Sequence, residues 1–172
     1  SSDAAATLIG LNKLWDLGLT HTELLDMSLE LGSDVPFFIF GRSAWAEGRG
    51  EILSEVDFNE EWFLLYMPKA QISTKKAFEN LSSNFSKPYT YEEYISKGGF
   101  NSFEKWARES YKEIDEIFIK LENIGTPRLS GTGSSVFVSF SKLEEAESAK
   151  QEFPACILVK SLEHSPLTQI IE

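Results

Sequence analysis

The start of the chain has the apolar spacing of an amphipathic helix. Apolar side chains recur at intervals of three or four residues, at Ala4, Leu8, Leu11 and Trp15. This stripe predicts a helix that buries one face. Ser1 or Ser2 is available as its N-cap, so the predicted helix begins with the first residues of the chain.

A second helix is predicted from about residue 22 to residue 31. Thr20 and Glu23 have the spacing of a capping box just before its apolar positions. Gly32 is a natural end for this helix, because a glycine commonly follows the last helical turn. The first part of the chain is therefore predicted to contain two successive helices.

After this second helix the pattern changes from helix to strand. Asp34 stands two residues before Pro36, which is tolerated only in a first helical turn, so Asp34 is a candidate N-cap at a junction between elements. The apolar stretch that follows is interrupted by glycines. It predicts two strands, roughly 43–47 and 51–56, joined by a hairpin turn at 48–50.

An acidic stretch at residues 57–61 predicts a surface linker. A continuous apolar run follows it at once, and we interpret that run as the first strand of a second unit. The sequence therefore predicts two domains, 1–57 and 58–172, with their boundary near residue 58.

Beyond the linker, the order of elements predicts an α+β fold. A strand at 62–67 is followed by helices, a second strand, a helix and a last strand at 156–159. A long helix is expected from about residue 103 to Gly125, and a capping box at 141–144 predicts a helix to about residue 153. This order resembles a split β-α-β sheet covered by helices on one face.

Composition excludes several classes of function. The chain has 16 Lys and Arg against 27 Asp and Glu, a net charge of −11, which disfavours electrostatic binding to nucleic acid or anionic membranes. Cys156 is the single cysteine, so neither an internal disulfide nor a cysteine-based metal site can form, and two histidines leave few ligands for zinc. We expect a protein of a reducing cytosol that binds any phosphate through local geometry.

Two positions near the start of the chain are candidates for chemistry. A helix that begins with Ser1 and Ser2 presents free N–H groups and two hydroxyls, which suits a phosphate group; the alternative is an ordinary helix cap. Asp34 can serve as a general base for a substrate hydroxyl. The alternative for Asp34 is again an N-cap, because aspartate is among the commonest capping residues.

A third candidate is the small-residue loop at 131–135, Gly-Thr-Gly-Ser-Ser. It lies between two predicted strands, whereas phosphate loops of the Walker and dinucleotide types pass from a strand into a helix. Its glycines allow a ligand to approach the backbone closely. The alternative is a hairpin turn made of small residues.

Taken in chain order, these segments resemble the GHMP kinases. The resemblance covers nearly the whole chain and is carried by six segments: Ser1–Ala5, Leu31–Phe38, Glu47–Glu51, Ser73–Phe78, Arg128–Phe137 and Ser165–Leu167. The first resembles the end of the family's glycine-rich ATP motif. The second resembles the segment that carries the catalytic aspartate.

The resemblance implies a fold and an activity. The implied fold is the GHMP kinase two-domain architecture, with a partial N-terminal domain and a ferredoxin-like C-terminal domain. The implied reaction is phosphorylation of a small-molecule alcohol by ATP with Mg²⁺. The implied substrate is a cytidine diphosphate-linked methylerythritol of non-mevalonate isoprenoid synthesis. A monomer or homodimer in the bacterial cytoplasm or plant plastid stroma is expected, with neither nucleic acid nor membrane as partner.

The resemblance also implies roles for residues that contact ATP. Ser1 and Ser2 would face the phosphates, and Ser1 is in addition a candidate Mg²⁺ ligand. Gly131, Thr132 and Gly133 match the family's third motif, which closes the site around phosphate groups.

Three further residues match family positions at the phosphoryl acceptor. Asp34 would accept the proton of the substrate hydroxyl as that hydroxyl attacks the γ-phosphoryl group. Thr74 would lie beside the substrate, and Phe78 matches the aromatic residue that stacks on the cytosine.

The family pattern has a further segment before Ser1, which carries the lysine that partners the aspartate and the residues that bind adenine. We therefore expect residues 1–172 alone to lack kinase activity, and that segment to be their partner. Two alternatives stay open. The protein is another small-molecule GHMP kinase, of the mevalonate, homoserine or galactose type, or it is a nucleotide-binding fragment without catalysis.

Overall fold

The computed structural model describes residues 1–57, 59–81 and 89–168. By contact, the chain divides into two units: Ser1–Asn59 with Leu162–Glu172, and Glu60–Ser161. Residues 162–168 thus group with the first unit, and a backbone hydrogen bond of 2.8 Å joins the Ser165 N–H to the Gly41 carbonyl. The domain boundary near residue 58 stays a prediction, and Phe58 itself lies outside the described residues.

The first unit contains the predicted helices and hairpin. Its elements are α1 (Ser2–Leu14), α2 (His21–Leu31), α3 (Val35–Phe40), β1 (Ala44–Glu47) and β2 (Ile52–Glu55). β1 and β2 pair antiparallel around the turn at 48–51. The apolar residues directly after Asp34, which precede the two predicted strands, form the helix α3.

The buried face of α1 differs by one position from the predicted stripe. Ala5 and Ile9 are buried, whereas Ala4 and Leu8 are only partly so, and Trp15 is 61% exposed. Trp15 is the C-cap residue of α1, so its side chain no longer follows the helical face. The helices of this unit share a core: Ala5, Ile9, Leu24, Val35 and Ile39.

The predicted capping box at the start of α2 is formed. The Thr20 hydroxyl accepts a hydrogen bond from the Glu23 N–H at 3.3 Å, and Glu23 Oε2 accepts one from the Thr20 N–H at 2.8 Å. Two hydrogen bonds lower the pKa of Glu23. The larger effect comes from the Thr20 N–H and the smaller from the Thr20 hydroxyl. The Glu23 carboxylate therefore stabilises the folded protein at a pH above the pKa that this group has in the unfolded chain. That contribution is lost as the pH falls through the lowered pKa of the folded state.

The second unit confirms the α+β prediction. Its strands are β3 (Trp62–Tyr66), β4 (Arg128–Leu129), β5 (Val136–Phe140) and β6 (Ile157–Lys160). They lie in the order β4-β5-β3-β6, and each strand is antiparallel to its neighbours. β3 and β4 are consequently parallel with β5 between them, which is the split β-α-β arrangement of a ferredoxin-like sheet.

Helices pack on this sheet around one apolar core. The helices of the unit are α4 (Thr74–Glu79), α5 (Tyr91–Lys97), α6 (Glu104–Ser110), α7 (Lys112–Leu121) and α8 (Leu143–Glu152). Leu64 on β3 and Val138 on β5 are paired in register and almost fully buried. Phe118 and Leu121 of α7 join the same cluster, so the sheet and α7 form one hydrophobic core.

The prediction of one long helix from residue 103 to Gly125 is wrong, because this segment forms two helices, α6 and α7. Tyr111 lies between them with extended backbone angles, φ −130° and ψ 99°. Its ring packs edge to face on Trp106, with ring centroids 5.7 Å apart. The break lets Ala107 and Ile114, one on each helix, enter the same core.

Two caps of the second unit were misjudged from sequence. α5 was not predicted, although Thr90 and Glu93 form a capping box at its start. The predicted box at 141–144 is not formed: α8 begins after Lys142, which makes no side-chain cap bond. Within the described residues, no helix combines the length and apolar character needed to cross a membrane.

The capping box predicts a local stability effect. In Thr20→Ala, the loss of the N-cap hydroxyl should destabilise α2 by about 1 kcal/mol, which is roughly a fivefold larger open population. Amide hydrogen exchange across α2 measures it. Thr22→Ala is the matched control, because Thr22 is an exposed residue inside the same helix. Equal exchange in the two variants would contradict the role of the Thr20 hydroxyl.

Candidate functional site

The first turn of α1 presents hydrogen-bond donors on its exposed end. Ser1 is the N-cap, as expected, and its carbonyl accepts the Ala5 N–H at 3.0 Å. The Ser1 side chain makes no cap bond to the helix. Ser1 and Ser2 are both exposed, so their hydroxyls can contact a ligand. Asp3 places a carboxylate in the same turn, which opposes an anion unless a cation accompanies it.

Asp34 occupies the N-cap position of α3 without acting as a cap. Its backbone is in the helical region, with φ −92° and ψ −9°. The caps Thr20 and Ser73 have extended backbones instead, with ψ of 161° and 118°, which is the conformation that lets a side chain reach back to the helix N–H groups. In the described part of the chain the exposed Asp34 carboxylate has no hydrogen-bond or ionic partner.

The hairpin turn between β1 and β2 lies against the segment of Asp34. A Cβ atom added at Gly50 would be 2.8 Å from the carbonyl oxygen of Ser33. Glu51 fixes the same turn by accepting the Arg49 N–H at 2.7 Å. The Glu47–Glu51 segment, singled out by resemblance, therefore packs directly beside the residue that precedes Asp34.

The loop at 131–135 is the connection of the β4-β5 hairpin. The Ser130 carbonyl accepts the Gly133 N–H, and the Ser130 N–H donates to Ser135, both at 2.9 Å. Among the described residues, the N–H groups of Gly131 and Thr132 have no acceptor. The segment is thus a hairpin turn made of small residues, as the alternative interpretation predicts. The loop still has two N–H donors that a ligand could accept.

Gly133 joins this loop to the segment that precedes α4. Its φ is +91°, and an added Cβ would lie 2.7 Å from Cδ1 of Ile72 and 3.2 Å from Cδ1 of Leu129. The positive φ favours glycine here, and a Cβ would in addition require the end of the Ile72 side chain to shift. Gly131, with φ +55°, has no neighbour within 4 Å of its added Cβ.

Asn101 fixes the glycine loop and was missed by sequence reasoning. Its Nδ2 donates to the carbonyls of Leu129 at 2.9 Å and of Gly131 at 2.7 Å. Its Oδ1 accepts the Phe103 N–H at 2.9 Å, which is a local Asx turn. The turn is readable from sequence in principle, but its contact with residues near position 130 is not.

Thr74 and Phe78 lie one helical turn apart on α4, both exposed. The Ser73 hydroxyl caps this helix by accepting the Lys76 N–H at 3.4 Å. The Phe78 ring is 60% exposed and rests edge to face on Phe103, with centroids 5.0 Å apart. The ring is therefore held by one aromatic contact while most of the side chain remains exposed.

The predicted site residues fall into two sets. Ser1, Ser2 and Asp34 belong to the first unit, whereas Thr74, Phe78 and the loop 131–133 belong to the second. Within the second unit, Ile72 lies against Gly133, and Phe103 lies against Phe78.

His21 and Cys156 are placed where they serve the structure. His21 Nε2 lies 3.2 Å from the Ile39 carbonyl, so that ring joins α2 to α3. Cys156 is buried, and burial raises the pKa of its thiol, which disfavours a nucleophilic role. Across residues 1–57, 59–81 and 89–168, no cluster of three or more histidine, cysteine or acidic residues is arranged to hold a metal ion.

Two family models match the chain. Residues 1–42 match the GHMP kinases N terminal domain, and residues 88–157 match the GHMP kinases C terminal domain. Together the two matches cover more than half of the chain.

Curated relatives share one name. A 4-diphosphocytidyl-2-C-methyl-D-erythritol kinase of Burkholderia multivorans is 37% identical over 97% of this chain. The kinase of that name from Acinetobacter baumannii is 41% identical over 97% of this chain. The chain spans 62% of the length of each of these relatives.

Two solved structures are similar. A 4-(cytidine 5'-diphospho)-2C-methyl-D-erythritol kinase matches 92% of this chain and 62% of that protein, with a TM-score of 0.74 and 25% identity. A homoserine kinase from Cytophaga hutchinsonii matches 90% of this chain and 62% of its own, with a TM-score of 0.58 and 15% identity. The second likeness concerns the fold alone.

The two loop glycines predict different costs on substitution. Gly131→Ala meets open space and bears only the strain of a positive φ, about 1–2 kcal/mol. Gly133→Ala bears the same kind of strain and in addition requires the end of the Ile72 side chain to shift, so its loss of unfolding free energy should be the larger of the two. Denaturant unfolding of both variants tests this. Equal losses of unfolding free energy would show that Ile72 does not confine the loop.

Proposed function

Since the chain belongs to the GHMP kinase family, we propose that the protein phosphorylates the 2-hydroxyl of 4-diphosphocytidyl-2-C-methyl-D-erythritol with ATP. The observation that carries the proposal is the name shared by relatives that are 37% and 41% identical over 97% of this chain. The solved kinase of the same substrate, with a TM-score of 0.74, supports it independently. The reaction belongs to isoprenoid precursor synthesis, and we place it in the bacterial cytoplasm or the plastid stroma.

Asp34 is the proposed general base. The oxygen of the substrate hydroxyl forms a bond to the γ-phosphorus, the bond to the β–γ bridging oxygen breaks, and ADP leaves with that electron pair. The hydroxyl proton passes to the Asp34 carboxylate. The support is that this carboxylate is exposed and has no partner among the described residues, so nothing must be broken before it accepts a proton.

Backbone donors are the proposed phosphate ligands. The first turn of α1, with Ser1 and Ser2, and the N–H groups of Gly131 and Thr132 offer donors that are not used within the described residues. Oriented N–H groups create positive potential over a few ångströms, so the net charge of −11 does not prevent binding of a polyphosphate. Gly133 shapes the loop that carries two of these donors.

Magnesium fits the donors that the first unit offers. Mg²⁺ prefers oxygen ligands and keeps several waters, and the Ser1 hydroxyl is an exposed oxygen. When bound with ATP, the ion would neutralise charge on the phosphate oxygens. It would also offset the repulsion between ATP and Asp3 in the same helical turn.

Phe78 is the proposed partner of the cytosine ring, and Thr74 a contact to the same substrate. The ring of Phe78 is largely exposed yet held by Phe103, which favours stacking because little freedom is lost on binding. Thr74 presents a hydroxyl one turn away on the same face of α4.

Two other functions compete with this proposal. The likeness to a homoserine kinase concerns the fold, so a different alcohol is the first alternative. A nucleotide-binding protein without catalysis is the second. Phosphate transfer from labelled ATP to the cytidine substrate, homoserine, mevalonate and galactose separates the three: the proposal requires turnover with the first alcohol only.

Asp34→Asn should reduce kcat by roughly 10²- to 10⁴-fold while the Kd for ATP stays within about twofold, because a positioned base acts mainly in the transition state. Steady-state kinetics and nucleotide titration measure this in the intact protein. Asp26→Asn is the control, since Asp26 is an exposed carboxylate of α2. A kcat within tenfold of the unchanged protein would argue against Asp34 as the base.

Phe78→Ala should weaken binding of the cytidine substrate by roughly 5- to 150-fold, because base–aromatic stacking contributes about 1–3 kcal/mol. Binding of ATP should not change. Phe78→Leu is the paired variant: it keeps an apolar contact to Phe103 and removes the aromatic ring, so it should lose nearly as much. Recovery of substrate affinity in Phe78→Leu would show that packing, rather than stacking, is the role of Phe78.

A further inference from the structure

Glu113 makes contacts that the proposed reaction does not explain. It lies in the first turn of α7, yet its carboxylate points to the loop that follows β3. Its Oε1 accepts the Lys69 N–H at 3.0 Å and its Oε2 accepts the Ala70 N–H at 3.2 Å. The Tyr66 hydroxyl lies 3.5 Å from the same Oε1.

These bonds replace those that the sheet no longer provides. Lys69 and Ala70 have left β3, so their N–H groups have no strand partner and need another acceptor. A carboxylate that accepts two N–H groups makes charge-assisted bonds, which are stronger than bonds to a neutral acceptor. The start of α7 also favours a negative side chain at this position through the helix dipole.

The loop that Glu113 holds leads directly into the proposed substrate helix. Only three residues separate Ala70 from Thr74, the first residue of α4. On its other side, the same loop contacts the glycine loop: the Ser134 hydroxyl is 3.5 Å from the Pro68 carbonyl, and Ile72 abuts Gly133. Glu113 thus fixes one side of a segment whose other side faces the proposed phosphate-binding loop.

We infer that Glu113 is a positioning residue, which holds the loop after β3 in register so that Thr74 and Phe78 are presented to the cytidine-bearing substrate. This inference rests on the proposed function. Glu113 acts through the Lys69 and Ala70 N–H groups and has no assigned contact with substrate or ATP. Asn101 holds the glycine loop separately, so the loss of Glu113 should affect the cytidine substrate more than ATP.

The test uses Glu113→Gln in the intact protein. Glutamine has nearly the same shape, but it has one carbonyl oxygen, and its amide N–H₂ would oppose the second loop N–H. Glu116→Gln is the matched control, because Glu116 is an exposed residue on the same helix and its one ionic partner among the described residues is Lys112, at 3.3 Å.

Three measurements should change in Glu113→Gln and not in Glu116→Gln. Exchange of the Lys69 and Ala70 amides should accelerate roughly tenfold or more, and KM for the cytidine substrate should rise by a similar factor, while KM for ATP stays within about twofold. The pKa of Tyr66 is raised mainly by burial and secondly by the charge of Glu113. Because Glu113→Gln removes that charge, the Tyr66 pKa should fall in this variant. A titration followed by NMR reports it.

The outcomes are distinguishable. An equal rise of KM for both substrates, or unchanged amide exchange, would overturn the inference, because Glu113 would then act on the whole fold or not on the loop. If the unchanged protein does not phosphorylate the cytidine substrate, the proposed function fails, and the substrate role of Glu113 fails with it. That result is recognised before any variant is compared.

Discussion

Backbone groups that leave a sheet must find new hydrogen-bond partners, and the second unit depends on side chains that supply them. Asn101 bonds to two carbonyls around the glycine loop, and Glu113 accepts two N–H groups of the loop after β3. Glu104 accepts the Leu129 N–H at 3.3 Å, at the start of the same hairpin. Irregular segments are thereby held without being part of a helix or strand.

This constraint also explains how an acidic chain can offer a phosphate site. Acidic side chains accept hydrogen bonds from some of the loop N–H groups and so fix the loops. The N–H groups of Gly131 and Thr132, in contrast, have no acceptor among the described residues. Donors on the outer turn of a hairpin point to solvent, and they are positive whatever the net charge of the chain. Under the proposed function, local orientation of the backbone, rather than lysine or arginine, would be the basis for phosphate recognition.

The sequence predicted elements whose cause is local. The box at Thr20 was found because a hydroxyl three residues before a backbone N–H is a local signal. The box expected at residue 141 failed because α8 starts one residue later, after Lys142. The break at Tyr111 could not be foreseen, since apolar spacing continues across it and only packing against Trp106 and the core decides it.

The same distinction applies to the candidate site. Asp34, Phe78 and the glycine loop could be identified from residue type and resemblance, but the residues that hold them come from distant parts of the chain. Glu113 is 43 positions from Ala70, and Asn101 is 30 positions from Gly131. Neither spacing has a periodic or motif signal, because these contacts exist only once the ferredoxin-like sheet brings the segments together.

The arrangement has a consequence for how function is assigned from motifs. A chain can keep each motif residue and still lose the geometry of the site if Asn101 or Glu113 changes, since the loops then lose the bonds that define their conformation. The reverse also holds: a motif residue such as Gly133 is required in part by its neighbour Ile72, and a smaller side chain at position 72 would relax that requirement. The identity of a loop residue is thus set jointly by the ligand on one side and by the packing partner on the other. Motif and supporting residues have to be compared together before an activity is inferred from either.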